Sequence, residues 1–68
     1  MDSISIKLNG EPKVSSSQTI GELLSELGLE GKKIAVELNR ELVPRGEHSV
    51  KRLAEGDSVE IVQFVGGG

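Results

Sequence analysis

The sequence predicts an α+β domain in which one amphipathic helix covers one face of a mixed β-sheet. Two observations predict this fold. Apolar and polar residues alternate with the period of a strand near both ends of the chain and in its middle, and one segment has helical periodicity instead. At 68 residues the chain makes one small domain of marginal stability. Its core must be aliphatic, because Phe64 is the only aromatic residue.

The first half of the sheet is predicted to be a hairpin. Alternation over residues 4–8 indicates a half-buried strand. Asn9 and Gly10 follow, and this pair suits a type I′ turn, in which both central residues have positive φ. The chain should therefore reverse into a short second strand over residues 11–14. Pro12 lacks a backbone N–H, which places this strand at a sheet edge.

A polar connection over residues 15–18 leads to the predicted helix. Thr19 and Glu22 have the spacing of a capping box, in which the Thr19 hydroxyl accepts from the Glu22 amide and the Glu22 carboxylate accepts from the Thr19 amide. Gly28 is placed to end the helix in the left-handed conformation, with Leu29 as its apolar companion. Residues at i, i+3, i+4 and i+7 form the apolar face of the helix: Ile20, Leu23, Leu24 and Leu27.

A second pair of strands is predicted after the helix. Alternation indicates a third strand over residues 34–38, and Asn39-Arg40 a turn, although Arg resists positive φ. A short fourth strand, residues 42–43, stops at Pro44.

The remaining segments complete the sheet. Residues 45–52 carry little pattern and are interpreted as a surface loop, with His48 and Arg45 as surface residues. Residues 53–57 are predicted to form a turn into the last strand, residues 58–64. The sheet residues expected to face the helix are Ile4, Ile6, Ile34, Val36, Leu38, Val59 and Ile61.

This order of elements is that of the β-grasp (ubiquitin-like) arrangement, because one helix can cover only one face of the sheet. The prediction is a mixed sheet of four to five strands packed on one main helix. The domain spans residues 1–64, and residues 65–68 form a flexible C-terminal glycine tail.

Composition excludes several classes of function. A net charge of −3 argues against nucleic acid as a partner. With no cysteine, the chain has neither a disulfide nor a side-chain thiolate. It has no apolar run long enough to cross a membrane and no signal peptide, which favours the cytoplasm. No metal-ligand cluster, P-loop or catalytic set is visible, so we expect no metal, no bound cofactor and no enzyme activity of its own.

The glycines at the end of the sequence are the candidate functional group. Glycine has no Cβ, so Gly66 and Gly67 make a thin lead that can thread a narrow channel and present the Gly68 carboxylate. Adenylation by ATP would turn this carboxylate into an electrophile that a sulfur nucleophile can attack. Taken alone, a glycine-rich end is more often a frayed terminus. Its position after a strand of a ubiquitin-like domain favours function.

The sequence resembles the ThiS family, the sulfur carriers of thiamine-thiazole biosynthesis, over essentially its whole length. The resemblance rests on the Asn9-Gly10 hairpin and on the segments Thr19-Ile20-Gly21-Glu22-Leu23-Leu24, Ala35-Val36-Glu37-Leu38-Asn39-Arg40-Glu41-Leu42-Val43-Pro44-Arg45, Gly56-Asp57 and Phe64-Val65-Gly66-Gly67-Gly68.

The resemblance implies a set of partners and a modified residue. An E1-like adenylyltransferase would use ATP to adenylate Gly68, and a cysteine desulfurase or other sulfur donor would convert it to a thiocarboxylate. Thiazole synthase would then accept the sulfur. Only Gly68 carries over as the modified group, with Gly66 and Gly67 as its lead.

Strand parity also predicts a docking patch. If Val59 and Ile61 point at the helix, Val62 and Phe64 lie on the opposite face. Together with Val65 they are candidates for contact with partner enzymes. The alternative is that Val62 and Phe64 are ordinary surface hydrophobes or are covered by a bulge or loop.

Three other functions are compatible with the sequence. They are a sulfur carrier of another pathway, such as the small subunit of molybdopterin synthase, a ubiquitin-like modifier joined to lysines through Gly68, and a β-grasp module that binds its partner without covalent chemistry.

Overall fold

The computed structural model describes residues 2–64; Met1 and residues 65–68 lie outside the described part. Within it, five strands and one α-helix confirm the predicted α+β fold. The elements are β1 (Ile4–Leu8), β2 (Glu11–Ser15), α1 (Ile20–Glu26), β3 (Ile34–Leu38), β4 (Glu41–Val43), a 3₁₀ helix (Arg45–Glu47) and β5 (Ser58–Gln63). Neither helix in this part of the chain is long and apolar enough to span a membrane.

The strands form a mixed sheet in the order β2-β1-β5-β3-β4. β5 lies at the centre, parallel to β1 and antiparallel to β3. The hairpins β1–β2 and β3–β4 flank it on either side. β2 is an edge strand, as Pro12 predicts.

Two hairpin turns have the predicted left-handed backbone. Asn9 and Gly10 have φ values of 50° and 84°, and Asn39 and Arg40 have values of 52° and 72°. Both turns are confirmed, including the one in which an arginine must adopt positive φ.

The second strand is one residue longer than predicted. Ser15, assigned from sequence to the connection, is buried and pairs with Ile4 as the last residue of β2. Its hydroxyl donates to Oε1 of Glu26 on α1 at 2.7 Å. This contact with the end of the helix holds Ser15 in the sheet. It joins residues that are distant in the sequence, so the local pattern around Ser15 does not predict it.

The helix begins with half of the predicted capping box. Thr19 is the N-cap, and its hydroxyl accepts from the Glu22 N–H at 3.1 Å. The reciprocal bond was predicted wrongly, because the Glu22 carboxylate accepts from the Gln18 N–H at 2.7 Å instead. Thr19 forms a β-bridge with Arg52, a contact between distant parts of the chain.

The helix ends in the predicted glycine motif. Gly28 has a φ of 74°, its N–H donates to the Ser25 carbonyl at 3.1 Å, and the Leu29 N–H donates to the Leu24 carbonyl at 2.8 Å. This pair of bonds is the Schellman motif, which satisfies carbonyls that the helix end leaves unpaired.

The core lies between α1 and one face of the sheet and is aliphatic, as predicted. Its buried members are Ile6, Ile20, Leu23, Leu24, Val36, Leu38, Val43 and Val59. Half-buried residues surround them, including Ile4, Leu27, Ile34 and Ile61. Val43 was not in the predicted set. It belongs there because it pairs with Val36 and so shares its face of the sheet.

The weakly patterned segment of residues 45–52 packs against the start of the helix and is more than a surface loop. The Gly21 N–H donates to the His48 carbonyl at 2.7 Å. A Cβ on Gly21 would lie 3.2 Å from the Ser49 Cα, so a side chain there would force the two segments apart. Glycine at this position therefore permits the close approach.

Candidate functional site

The candidate site begins where the central strand leaves the sheet. β5 ends at Gln63, one residue earlier than predicted, but the Phe64 N–H still donates to the Lys33 carbonyl at 2.9 Å. Pairing with the β3 side thus continues through Phe64. Val65, Gly66, Gly67 and Gly68 lie outside the described residues, so their predicted roles stay predictions.

The sheet face turned away from α1, which we call the open face, carries apolar side chains near this point. Val62 is 55% exposed and Phe64 59% exposed. No bulge or loop among the described residues covers either side chain, and their role in docking stays a prediction. Leu42, 66% exposed, lies on the same face because β4 pairs it with Glu37, and this residue was not predicted. The register between β3 and β4 identifies it, and the sequence does not supply that register.

Two carboxylates lie between these apolar residues. Glu37 of β3 pairs directly with Glu60 of β5, and both are exposed. Like charges directly opposite each other in a sheet are destabilising. The open face therefore combines apolar side chains with charged ones, and Lys7 and Arg40 border the same depression as Glu60.

Basic side chains lie beside Phe64. Lys33, Ile34, Arg45 and Phe64 line one shallow depression. Arg45, interpreted from sequence as a solvated charge, donates from Nη2 to the Lys32 carbonyl at 2.9 Å. This bond ties the segment after β4 to the residues that precede β3.

His48 is half-buried, and its Nε2 lies 3.1 Å from the Val43 carbonyl oxygen. The sequence-based assignment to the surface is therefore only partly right. Because its ring contacts a backbone carbonyl, His48 has a structural role in this part of the fold.

Glu26 carries the clearest electrostatic perturbation. Hydrogen bonds from the hydroxyls of Ser15 and Ser17, at 2.7 and 2.9 Å, and contact with Lys13 hold the pKa of Glu26 below its ordinary value of 4.5. The cluster joins β2 to the last turn of α1. A stabilised carboxylate of this kind anchors structure and offers no proton donor at neutral pH.

Metal ligation was not predicted. In residues 2–64, no three His, Cys, Asp or Glu side chains come together in a way that could hold a metal ion.

Known proteins resemble this chain along almost its whole length. The model of the ThiS family matches residues 5–68. The sulfur carrier protein ThiS of Thermus thermophilus is 43% identical over 61 residues, which cover 90% of this chain and 95% of that protein.

A longer relative contains a similar segment. A thiazole synthase of Paramagnetospirillum magneticum is 45% identical over 62 residues, which cover 90% of this chain but 19% of that protein. The chain thus spans about a fifth of the length of this relative.

A solved structure has the same fold. The crystal structure of the thiamine biosynthesis protein (ThiS) of Geobacter metallireducens matches with a TM-score of 0.81 and 32% identity, covering 96% of this chain and 100% of that one.

Proposed function

The chain belongs to the ThiS family, and on this premise we propose that it is a sulfur carrier protein of thiamine biosynthesis whose carrying group is the carboxylate of Gly68. The observation that carries the proposal is the match to a relative named as a sulfur carrier over nearly the full length of both proteins. The Gly66-Gly67-Gly68 segment falls inside the region that the family model matches.

The proposed chemistry first activates the Gly68 carboxylate at the α-phosphorus of ATP and then replaces AMP by sulfur at the terminal carbonyl carbon. An oxygen of the Gly68 carboxylate attacks the α-phosphorus of ATP, and pyrophosphate leaves. A persulfide from a cysteine desulfurase relay, or a sulfide-level donor, then attacks the carbonyl carbon, and AMP departs with one of the original oxygens. With a persulfide the first product is an acyl disulfide, which a thiol cleaves to the thiocarboxylate while forming a disulfide with the donor's remaining sulfur. The product is a thiocarboxylate, itself a nucleophile toward a later acceptor.

The chain would act in this chemistry as substrate and carrier, and the catalytic groups would belong to its partners. An E1-like adenylyltransferase would bind the ATP, so the chain itself needs no cofactor. Thiazole synthase is the proposed acceptor. The thiazole synthase of P. magneticum supports this choice, because it contains a segment similar to this chain within its own length.

The open face gives the proposal a docking surface. Val62 and Phe64 expose apolar area beside the exit toward Gly68, with Leu42 further across the sheet; we propose that Val65 extends this contact. Glu37 and Glu60 lie directly opposite each other on the same face. A partner with an apolar pocket and basic groups would bury the first set and pair with the second.

The decisive experiment is the mass of the intact protein after incubation with ATP, the E1-like enzyme and a sulfur donor. We expect a gain equal to the replacement of one oxygen by sulfur, and no gain in a chain that lacks Gly68. A mass increase by a whole second protein would indicate a ubiquitin-like modifier instead. An unchanged mass, with the enzyme active on another carrier, would contradict the proposal.

Replacing Phe64 by Ala tests the docking surface. Because the side chain is 59% exposed, the domain should keep its fold while KM for the adenylating enzyme rises about tenfold. Val14→Ala is the matched control, since Val14 is 66% exposed but lies on the edge strand β2. If the two variants had equal KM values, Phe64 would not be part of the docking surface.

A further inference from the structure

One edge of the central strand β5 is covered only in part. Lys7 and Leu8 of β1 pair with Ser58 and Val59. The next position is filled by a side chain, because Oδ1 of Asn9 accepts from the Ile61 N–H at 2.7 Å and its Nδ2 donates to the Ile61 carbonyl at 3.3 Å. The chain then turns away at Gly10. Beyond Ile61, nothing within residues 2–64 pairs with this edge of β5.

The direction of the backbone groups follows from the pairing on the other side. The Phe64 N–H donates to Lys33, and the Ser58 carbonyl accepts from the Asn39 N–H at 2.7 Å, so the even-numbered residues of β5 bond toward β3. The backbone N–H and C=O groups of the odd-numbered residues therefore point toward β1. The bond from the Asn9 N–H to the Val59 carbonyl, at 2.8 Å, has this direction.

By the same alternation, the N–H and C=O of Gln63 point outward at the uncovered edge. Gln63 is exposed, and neither backbone group has a partner among the described residues. They are the last such pair before the candidate tail. An unpaired N–H and C=O at a sheet edge are a template for another strand.

We propose that this edge, at Gln63, is where the adenylating enzyme adds an extended segment of its own chain by β-augmentation; the inference rests on the proposed function. A glycine segment has no side chains for a partner to contact, so a partner must recognise its backbone N–H and C=O groups. Pairing that starts at Gln63 would align the partner's strand with the residues that follow. In this mode main-chain hydrogen bonds supply affinity, and side chains on the open face supply specificity.

A Gln63→Pro variant removes the outward N–H together with the glutamine side chain. This N–H bonds to nothing within the described residues, and proline is tolerated in a strand where its missing N–H faces solvent. The domain should therefore stay folded. Gln63→Ala is the matched control, because it removes the side chain and keeps the N–H. Val62→Pro removes an N–H that bonds toward β3, so we expect it to unfold the domain and so confirm the alternation.

The readout is ATP-dependent adenylation and thiocarboxylate formation by the E1-like enzyme as a function of carrier concentration, with circular dichroism to check the fold. We expect Gln63→Pro to raise KM about 5- to 30-fold, the effect of leaving a buried acceptor on the enzyme unpaired, while Gln63→Ala stays near the unmodified protein.

Equal kinetics of the proline and alanine variants would overturn the augmentation site and leave the carrier function intact. Unfolding of Gln63→Pro would overturn it as well, because the N–H would then have an internal partner. Failure of the unmodified protein to react would remove the proposed function and this inference together.

Discussion

The turns at Asn9 and Asn39 have nearly the same backbone shape but differ at their second residue. Gly10 adopts its φ of 84° without cost, whereas Arg40 adopts 72° with a Cβ that opposes it. For a residue other than glycine this conformation costs about 1–2 kcal/mol. The second turn nevertheless forms, so something other than the turn residues must hold it.

The asparagines explain why both turns form. Each side chain forms hydrogen bonds with the central strand: Asn9 with Ile61, and Asn39 with the Ser58 N–H at 2.9 Å. Asn39 also donates to the carboxylate of Asp57, just before the strand, at 3.0 Å. Each asparagine also donates its own backbone N–H to a β5 carbonyl. The first residue of each turn is therefore set by its contact with β5, and only the second is set by the turn itself.

Removal of an anchor should have the largest effect. Asn9→Ala loses two hydrogen bonds to Ile61. It also places at positive φ an alanine, whose side chain cannot form the local hydrogen bonds that let asparagine adopt this conformation. We therefore expect the free energy of unfolding, measured by urea denaturation, to fall by about 2 kcal/mol. Asn39→Ala should behave alike. Asn9→Gly tolerates positive φ and loses only the hydrogen bonds, so its free energy of unfolding should fall by about half as much. If Asn9→Ala matched the parent in stability, the anchoring role would be wrong.

Relief of strain at the second turn should have a smaller and opposite effect. Arg40→Gly should raise the free energy of unfolding by about 0.5–1 kcal/mol, because the strain removed exceeds the entropy that glycine adds to the unfolded chain. Gly10→Ala is the mirror variant. No atom lies within 4 Å of its added Cβ, so it should lose about 1 kcal/mol from backbone strain alone. Destabilisation by Arg40→Gly would mean that the arginine side chain makes a stabilising contact.

The smallest change in stability should come from replacing Glu26, a contact whose strength depends on pH. Glu26 holds Ser15 and Ser17, and these hydrogen bonds lower its pKa below 4.5, whereas the asparagine amides carry no charge. A lowered carboxyl pKa contributes stability that is complete above its unfolded value and is lost as pH falls through the folded value. Because the site is exposed, Glu26→Gln should cost less than about 1 kcal/mol at pH 7.

The measurement is urea denaturation of Glu26→Gln and of the parent protein across the acid range. The difference between the two should close below pH 4.5, where the parent's carboxylate becomes protonated. A difference that did not change with pH would assign the effect to packing.

Local signals predicted the parts of the fold that depend on neighbours in the chain. The Thr19 cap, the glycine motif at Gly28 and the turn at Asn9 each involve residues a few positions apart, and all three are confirmed. Contacts between distant residues were missed or misassigned. The bond between Ser15 and Glu26 and the approach of Gly21 to His48 depend on the completed fold.

The candidate site divides in the same way. Alternation along one strand was enough to predict that Val62 and Phe64 are exposed. Leu42 joins them through the register of β4 on β3, and the outward direction of the Gln63 backbone depends on the register of three strands. Neither register can be read from the sequence alone.

The central position of β5 also affects how the domain is made on the ribosome. The two hairpins share no strand pairing with each other, since β5 lies between β1 and β3. Synthesis proceeds from the N-terminus, so both hairpins emerge before the strand that joins them. Val59 and Ile61 complete the core from that strand. A chain whose translation stops before residue 58 thus lacks the strand that joins the two hairpins and leaves the apolar face of its core exposed.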